Sequence, residues 1–453
     1  MWTLEVDDFV LDPDAGITIE YPVTITSASV YVRMAAGLEQ GSYSGTLTAS
    51  AGTGDNLNGS VSLAGEVIFP SFVKHIIGYA TPEGNGSGNF ELIASPIGTV
   101  APGDVTNMLS NSYDLYYFDQ DTDGNGNEWI NYKGDPTHPM GGFELEIGKG
   151  YLYANSNSID LVFTGRPIAQ SSYTVTLKKT VGARFAGWNL VGNPFTQTAY
   201  VDNAHNAFYT MNSDGTAFIG ITSNTVDPME GIFVTAATDG ETLTFSTSDP
   251  NDAKCSTLAL NLTQGQGLLD RATVRFDEGC QLPKLQFNRN SSKVYFPMDG
   301  NDYAVVRCAE MGEMPLNFKA ESNGTYCLTL GTDNVEFAYL HLIDNLTGND
   351  VDLLQTPSYT FDARTTDYES RFKLVFATGN NGNDDNFAFF SNGSFVINNE
   401  GEATLQVIDV TGRVLKSETI NGCANVNVDG AAGVYMLRLI NGDNMKVQKV
   451  VVK

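Results

Sequence analysis

Positive charge, cysteine, histidine and long apolar runs are all scarce in this sequence. Its 453 residues hold 25 Lys and Arg against 53 Asp and Glu, a net charge of −28. Nucleic-acid binding is excluded as a main role, because phosphate contact needs a Lys/Arg surface. Docking on anionic lipid is disfavoured for the same reason. No stretch approaches the roughly 20 apolar residues of a membrane-spanning helix. Five cysteines, an odd number without a CxxC pair, supply neither a metal site nor a disulfide framework; a Cys255–Cys280 bridge stays open. Four histidines, His75, His138, His205 and His341, fall at no ligand spacing, and no GxSxG elbow is present. The opening Met1-Trp2-Thr3-Leu4 runs into acidic Glu5-Val6-Asp7-Asp8, unlike a signal peptide, so the chain is expected to be a fragment whose front part is missing. Helical periodicity is lacking too: no 12-residue segment carries a 3.6-residue apolar period, and only 100–112 and 198–207 suit short helical turns.

What the chain has instead is strand. Short β-branched and aromatic runs such as Ser29-Val30-Tyr31-Val32-Arg33 and Thr404-Leu405-Gln406-Val407-Ile408 alternate with Gly, Asn, Asp and Ser. Forty-six glycines, about a tenth of the chain, supply the turns, and 42% apolar residues supply the cores. The fold class is all-β: a multidomain chain of immunoglobulin-like and β-sandwich domains with a two-repeat β module and little helix. The expected domains are 1–68, an immunoglobulin-like domain cut at its start; 69–250, the two-repeat module, in units of about 69–168 and 169–250; 255–378, a β-sandwich; and 387–453. Residues 379–386 hold no apolar side chain and read as a linker.

The repeat is visible without any alignment to other proteins. Phe90-Glu91-Leu92-Ile93-Ala94-Ser95-Pro96-Ile97 matches Trp188-Asn189-Leu190-Val191-Gly192-Asn193-Pro194-Phe195. Leu115-Tyr116-Tyr117-Phe118 then matches Ala207-Phe208-Tyr209-Thr210, Gly148-Lys149-Gly150-Tyr151 matches Met229-Glu230-Gly231-Ile232, and Leu161-Val162-Phe163 matches Leu243-Thr244-Phe245. The order predicts two units of one β topology. Gly150 and Gly231, each ahead of an aromatic strand, suit a turn or bulge with positive φ.

The C-terminal motifs are the most specific. Leu405-Gln406-Val407-Ile408-Asp409-Val410-Thr411-Gly412-Arg413-Val414-Leu415, then Gly433-Val434-Tyr435-Met436-Leu437-Arg438-Leu439, then Lys446-Val447-Gln448-Lys449-Val450-Val451-Val452-Lys453 stand in order at the chain's end. Together they resemble the type A C-terminal sorting domain of type IX secretion in Bacteroidetes. Phe389-Phe390-Ser391-Asn392-Gly393 replaces the Tyr-Pro-Asn-Pro-like opening usual there. Two more stretches resemble segments of secreted proteins from the same bacteria. They are Gly187-Trp188-Asn189-Leu190-Val191-Gly192-Asn193-Pro194 and the immunoglobulin-like pattern of Val30-Tyr31-Val32-Arg33 with Gly41-Ser42-Tyr43-Ser44-Gly45. The resemblance implies export to the extracellular space or outer-membrane surface. It implies recognition by the type IX machinery and its sorting peptidase, and cleavage near the 379–390 linker. Asp409, Gly412, Arg413, Gly433, Tyr435, Lys446 and Lys449 are the sorting-motif residues, with Gly412 expected at positive φ in a hairpin turn.

Chemistry elsewhere is thin. Asp119, Asp121 and Asp123 alternate ahead of Gly124, as in a calcium loop. A twelfth-position Glu is missing in either frame, where Ile130 or Tyr132 stands, so an acidic hairpin tip is the competing reading. Glu144 and Glu146 share a strand face as an acid/base pair would, but suit a solvated face. Gly84-Asn85-Gly86-Ser87-Gly88 opens onto a strand, not the helix N-terminus that phosphate binding needs. Tyr113, Tyr116, Tyr117, Trp129, Tyr132, Tyr151 and Tyr153 would stack on sugars if exposed, or pair with one another inside the module. The expected function is a non-catalytic secreted or surface-anchored binding, adhesion or display scaffold without a cofactor, its glycan or protein ligand unnamed. The alternative is an accessory region of a longer extracellular hydrolase whose catalytic domain precedes Met1.

Overall fold

The computed structural model describes residues 2–5, 9–11, 32–35, 37–51, 58–82, 84, 89–122, 128–134, 142–249, 255–285, 287, 291–379, 386–391, 393–428 and 432–452. Strand makes up 57% of the molecule, and no helix among the described residues reaches seven residues. Residues 100–112 hold one 3-10 turn, Pro102–Asp104. Residues 198–207 form the short strand Ala199–Tyr200 and a turn instead of the helical turn expected there.

The chain divides into two compact units, 1–72 with 164–166, and 73–163 with 167–453. In the first, Trp2–Glu5, Gly41–Ala51 and Asn58–Val67 form an antiparallel sheet, and Phe9–Leu11 pairs with Val32–Met34. Arg166 closes this unit, donating from Nη2 to the Leu38 carbonyl at 2.7 Å with its guanidinium 5.4 Å from the Phe69 ring.

The second unit opens with the two repeats, and their sheets share one strand order. In the first the order is Glu91–Ala94, Gly150–Asn155, Tyr113–Phe118, Trp129–Asn131; in the second it is Trp188–Gly192, Gly231–Thr235, Ala207–Met211, Phe218–Thr222. Ladder register pairs Ile93 with Tyr151 and Val191 with Ile232, as the motifs predicted. It pairs Tyr116 with Leu152 and Tyr209 with Phe233. Tyr116 therefore corresponds to Tyr209, one residue away from the match read in the sequence. The cause is the two-residue strand period: Leu115 and Phe208 face one layer while Tyr116 and Tyr209 face the other.

The repeats meet about a local pseudo-dyad with reciprocal bonds. The amide of Ala94 donates to the Met229 carbonyl, and the amide of Gly192 to that of Gly148, both at 3.0 Å. Bridges Ile93–Glu230 and Val191–Lys149 repeat the symmetry. The expected positive φ is absent at Gly150 and Gly231; it falls two residues earlier, at Gly148 (+78°) and Met229 (+60°). Close approach requires glycine at 150, where a Cβ would lie 2.6 Å from the Val191 carbonyl oxygen, and favours it at 231, where one would lie 3.3 Å from the Gly150 Cα.

The facing sheets of the repeats share a core of Leu92, Phe118, Leu152, Trp188, Tyr209 and Phe233, which continues into Leu282, Leu285 and Val305 of the next domain. Module and sandwich are thus joined by packing. Arg275, fully buried, adds to the joint by donating from Nη1 to Asn206 Oδ1 (2.9 Å) and to the Cys280 carbonyl (2.7 Å). The Cys255–Cys280 bridge does not form: all five thiols are free, and the Arg275 guanidinium contacts Cys255 Sγ while holding the Cys280 carbonyl. Burial pushes the Cys280 thiol up to about 11.

The sandwich is one eleven-stranded sheet curled on itself. Thr257–Gln264 and Gly324–Asp333 face Met311–Lys319, Phe337–Asp344 and Phe372–Thr378 across Leu260, Leu328, Leu316, Leu342 and Leu374. Its turn Asp344–Gly348 is held by a buried pair, Arg371 to Asp344 at 3.1 and 2.8 Å. The terminal domain that follows has a three-stranded sheet (Ala388–Ser391, Ser394–Ile397, Ala424–Asn427) over a four-stranded one, in the order Val414–Asn421, Glu402–Asp409, Gly433–Asn441, Asn444–Val452. Phe395, Ile397, Leu405, Val407, Leu437 and Val450 fill the space between them.

Candidate sorting surface in the terminal domain

Alternation decides where each motif residue lies. In Glu402–Asp409 the residues Ala403, Leu405 and Val407 point inward, and a bulge between Val407 and Ile408 tightens the exit into the turn. Asp409 organises that turn. Its Oδ1 accepts the Thr411 amide (2.9 Å), the Thr411 hydroxyl (2.6 Å) and the Arg413 amide (3.0 Å), and its Oδ2 accepts Arg413 Nε (3.1 Å). The Thr411 hydroxyl foremost, with the Arg413 and Thr411 amides, holds the Asp409 carboxyl below the usual carboxylate range despite an opposing desolvation effect. Gly412 takes φ +84°, as expected, and donates its amide to the Asp409 carbonyl at 3.0 Å. Arg413 extends into solvent beyond this bond.

The other motif residues separate into core and surface. Tyr435 is buried and packs on Phe395 with ring centroids 5.6 Å apart, so it builds the core and offers no surface. Gly433 opens the strand Gly433–Asn441 opposite Val452. Lys446 and Lys449 are exposed on the last strand, while Lys453 lies outside the described residues. Gln448, unmarked in the sequence reading, clamps the start of the domain: its Oε1 accepts the amides of Phe387 and Ala388, both at 2.7 Å, and its Nε2 donates to the Ala388 carbonyl at 2.6 Å.

The domain is seated on the sandwich. Phe389 and Val396, on the outer side of the three-stranded sheet, pack against Tyr339, Ile343 and Val375. Ser391 Oγ donates to Glu313 (2.8 Å), and Asn425 Nδ2 to the Tyr339 hydroxyl (2.8 Å). Asn398 ties both ends of the 379–386 segment, donating from Nδ2 to the Thr378 carbonyl (2.9 Å) and from its amide to the Phe387 carbonyl (2.8 Å). The run Phe395-Val396-Ile397 is buried on both faces because Val396 turns to the sandwich, and three polar side chains complete the contact.

Residues 391–453 match the family described as the secretion system C-terminal sorting domain. The chain carries a type IX sorting domain. Proteins so marked are exported to the extracellular space or the outer-membrane surface, and this is a secreted or cell-surface protein. A comparison with curated proteins found no match. Among solved structures, the chain is similar to a biofilm associated protein BSP domain at 10% identity, over 85% of this chain and 96% of that one, with a TM-score of 0.15. It is also similar to Salmonella alpha-2-macroglobulin reacted with methylamine at 11% identity, over 100% of this chain and 37% of that one, with a TM-score of 0.11. Among the described residues no helix is long and apolar enough to cross a membrane.

The remaining candidates belong to the first repeat of the module. Asp121 accepts hydrogen bonds from Lys178 and Thr180, which lower its pKa, Lys178 contributing most; Asp119 Oδ1 accepts the Asp121 amide at 3.0 Å. The Asp121 carboxylate thus pins the hairpin to the second repeat while that of Asp119 shapes the hairpin itself, and a calcium ion at Asp121 would compete with Lys178. Between them Gln120 donates to the Lys178 and Trp188 carbonyls and accepts the Thr180 and Gly187 amides. Asp123, His138 and residues 85–88 lie outside the described residues. Tyr151 and Tyr153 are fully buried, Trp129 joins a ring cluster with Phe118, Phe218 and Phe233, and Tyr117 and Tyr132 meet Phe143 edge-on. These aromatics pair within the molecule. Glu146 meets Lys149 at 3.2 Å in solvent, and the Glu144 carbonyl accepts the Tyr151 hydroxyl.

Proposed function

We propose that this chain is a non-catalytic binding or adhesion scaffold whose C-terminal domain is read by the type IX machinery and cut from the body near residues 379–386 by a sorting peptidase. The match of residues 391–453 to the sorting-domain family carries the reading. Three histidines lie in different regions, each beside at least one carboxylate. His75 meets Asp160 at 2.8 Å, His341 meets Asp350 at 2.7 Å, and buried His205 sits between Asp202 and Glu241 at 2.8 and 3.4 Å. Such pairs fix strand and turn positions. The module and sandwich, joined through a shared core, suit a stiff spacer that presents its surface away from the cell.

The test is export. Behind a signal peptide, in a host with type IX secretion, the full chain is expected outside the cell, and the chain without residues 387–453 in the periplasm. Export of the truncated chain at the normal level would refute the reading. Purified body spread on glycan and matrix-protein arrays then tests the binding role, while hydrolysis of polysaccharide or protein substrates by the same preparation would argue against it.

A further inference from the structure

The sorting domain has two layers, and the sandwich covers the outer side of only one. Val396 and Phe389 place the three-stranded sheet against the body, so the outer face of the four-stranded sheet points away from it. On its last two strands, Tyr435, Leu437, Leu439, Val450 and Val452 face inward. The period of two then sets Val434, Met436, Ile440, Met445, Val447 and Val451 outward, with Arg438 and Lys449 among them. Cross-strand register makes them one patch: Val434 opposite Val451, Met436 opposite Lys449, Arg438 opposite Val447, Ile440 opposite Met445. Met445 is 61%, Val447 43% and Val451 55% exposed. Contiguous apolar side chains on a sheet face mark a binding surface, whereas single ones do not.

Charge identifies the occupant. Residues 387–453 hold six acidic and six basic residues, so the whole net charge of −28 falls on the first 386. Arg413 and Lys416 of this domain pair with Asp409 and Glu418. Among the described residues Arg438 meets only a neutral partner, Gln406 Oε1 at 3.3 Å, and its Nε is buried without one. None of the eight outward residues is acidic. Among the described residues Asn444–Val452 also ends its sheet, with no strand paired along its outer edge beside the patch.

We propose that this apolar face, with Arg438 and Lys449 at its centre, is the surface by which the export machinery holds the sorting domain, and that the matching surface is a protein one, apolar and set with carboxylates. This rests on the export reading above. Anionic lipid would also attract two cations amid apolar groups, but a body at −28 opposes approach to such a membrane.

Three variants behind a signal peptide test it: Val447→Glu, Lys449→Glu and, as a control on an exposed apolar residue of the body, Val181→Glu. Val447→Glu and Lys449→Glu are expected to lower the exported fraction at least tenfold with the thermal midpoint of the purified protein unchanged; Val181→Glu is expected to export normally. If Val447→Glu lowers the midpoint, Lys449→Glu, a substitution of an exposed side chain, decides alone. Normal export of the face variants overturns the proposal while leaving the export reading intact, provided the 387–453 deletion stays in the periplasm. Export of that deletion would instead overturn the reading itself. A wild-type dimer in sedimentation that Val447→Glu dissociates would assign the face to a second copy. Binding to phosphatidylglycerol vesicles that Lys449→Glu abolishes would assign it to lipid. Either result overturns the proposal.

Discussion

A sorting domain that must part from its body is here held down by a small interface, and Asn398 is its most exacting member. It is buried, and its Nδ2 gives the Thr378 carbonyl a partner inside the contact. Asn398→Ala leaves that carbonyl unsatisfied when docked but hydrated when undocked, which costs about 1–3 kcal/mol. Val396→Ala removes two buried carbons from the contact with Ile343 and Val375, about 1.6 kcal/mol at about 0.8 kcal/mol each. The residues are neighbours, so their effects need not add. A combined loss of about 2–4 kcal/mol raises the undocked fraction about 30-fold to several hundredfold. The assay places a protease site within residues 380–385, cuts it, and follows the 387–453 fragment by gel filtration. The wild-type fragment is expected to co-elute with the body at micromolar concentration, and the double variant to separate. Separation of the wild-type fragment after cutting would refute the docking argument, as would co-elution of the double variant with unchanged affinity.

Three further outcomes are expected. Burial alone would raise the pKa of Asp344, but the bonds and charge of Arg371, with the Leu346 amide and Tyr359 hydroxyl, hold it below the usual range. Its stabilisation is therefore full above about pH 4 and lost as pH falls through the lowered native value, and Asp344→Ala, which strands buried Arg371, should cost about 3–5 kcal/mol in urea unfolding at pH 7; a loss under 1 kcal/mol would contradict it. At the pseudo-dyad a Cβ on Gly192 would lie 2.3 Å from that of Ala94 and 2.8 Å from the Lys149 carbonyl oxygen, so Gly192→Ala should cost about 1–3 kcal/mol and Ala94→Gly should restore the part due to the first contact, and additive losses in the double-mutant cycle would show that the two positions do not meet. Gly412→Val, at φ +84° with open space around the Cβ, should lower the stability of the sorting domain by about 1–2 kcal/mol through backbone strain alone, while calorimetry showing no change would place the turn elsewhere.

Much of this protein is written locally. The all-β class follows from period-two runs, because a strand's two faces are set by neighbouring residues and need no distant information. The repeat follows from four ordered motifs, yet the second is read one residue off. Tyr116 and Tyr209 share a face only through their ladder partners Leu152 and Phe233, and those are distant in sequence. Gly150 and Gly231 were visible as glycines but misread as turn residues, since close packing of one backbone on another leaves the same letter as a positive φ. In the sorting domain, Asp409, Gly412 and Arg413 were legible because they bond within five residues of one another. Tyr435 stands out in the sequence as a motif residue, but its place in the core against Phe395 depends on a strand forty residues earlier.

The sequence by itself determined the strand character, the acidic body, the repeated unit and the sorting signal at the end of the chain, all carried by short-range pattern and charge. Tertiary structure decided what no local pattern encodes. Arg275 lies between Cys255 and Cys280, the module shares its core with the sandwich, and Asn398 gathers both ends of the linker beneath a docked terminal domain. Each of these joins residues tens of positions apart, where the gain in burial and hydrogen bonding exists only after the layers have packed.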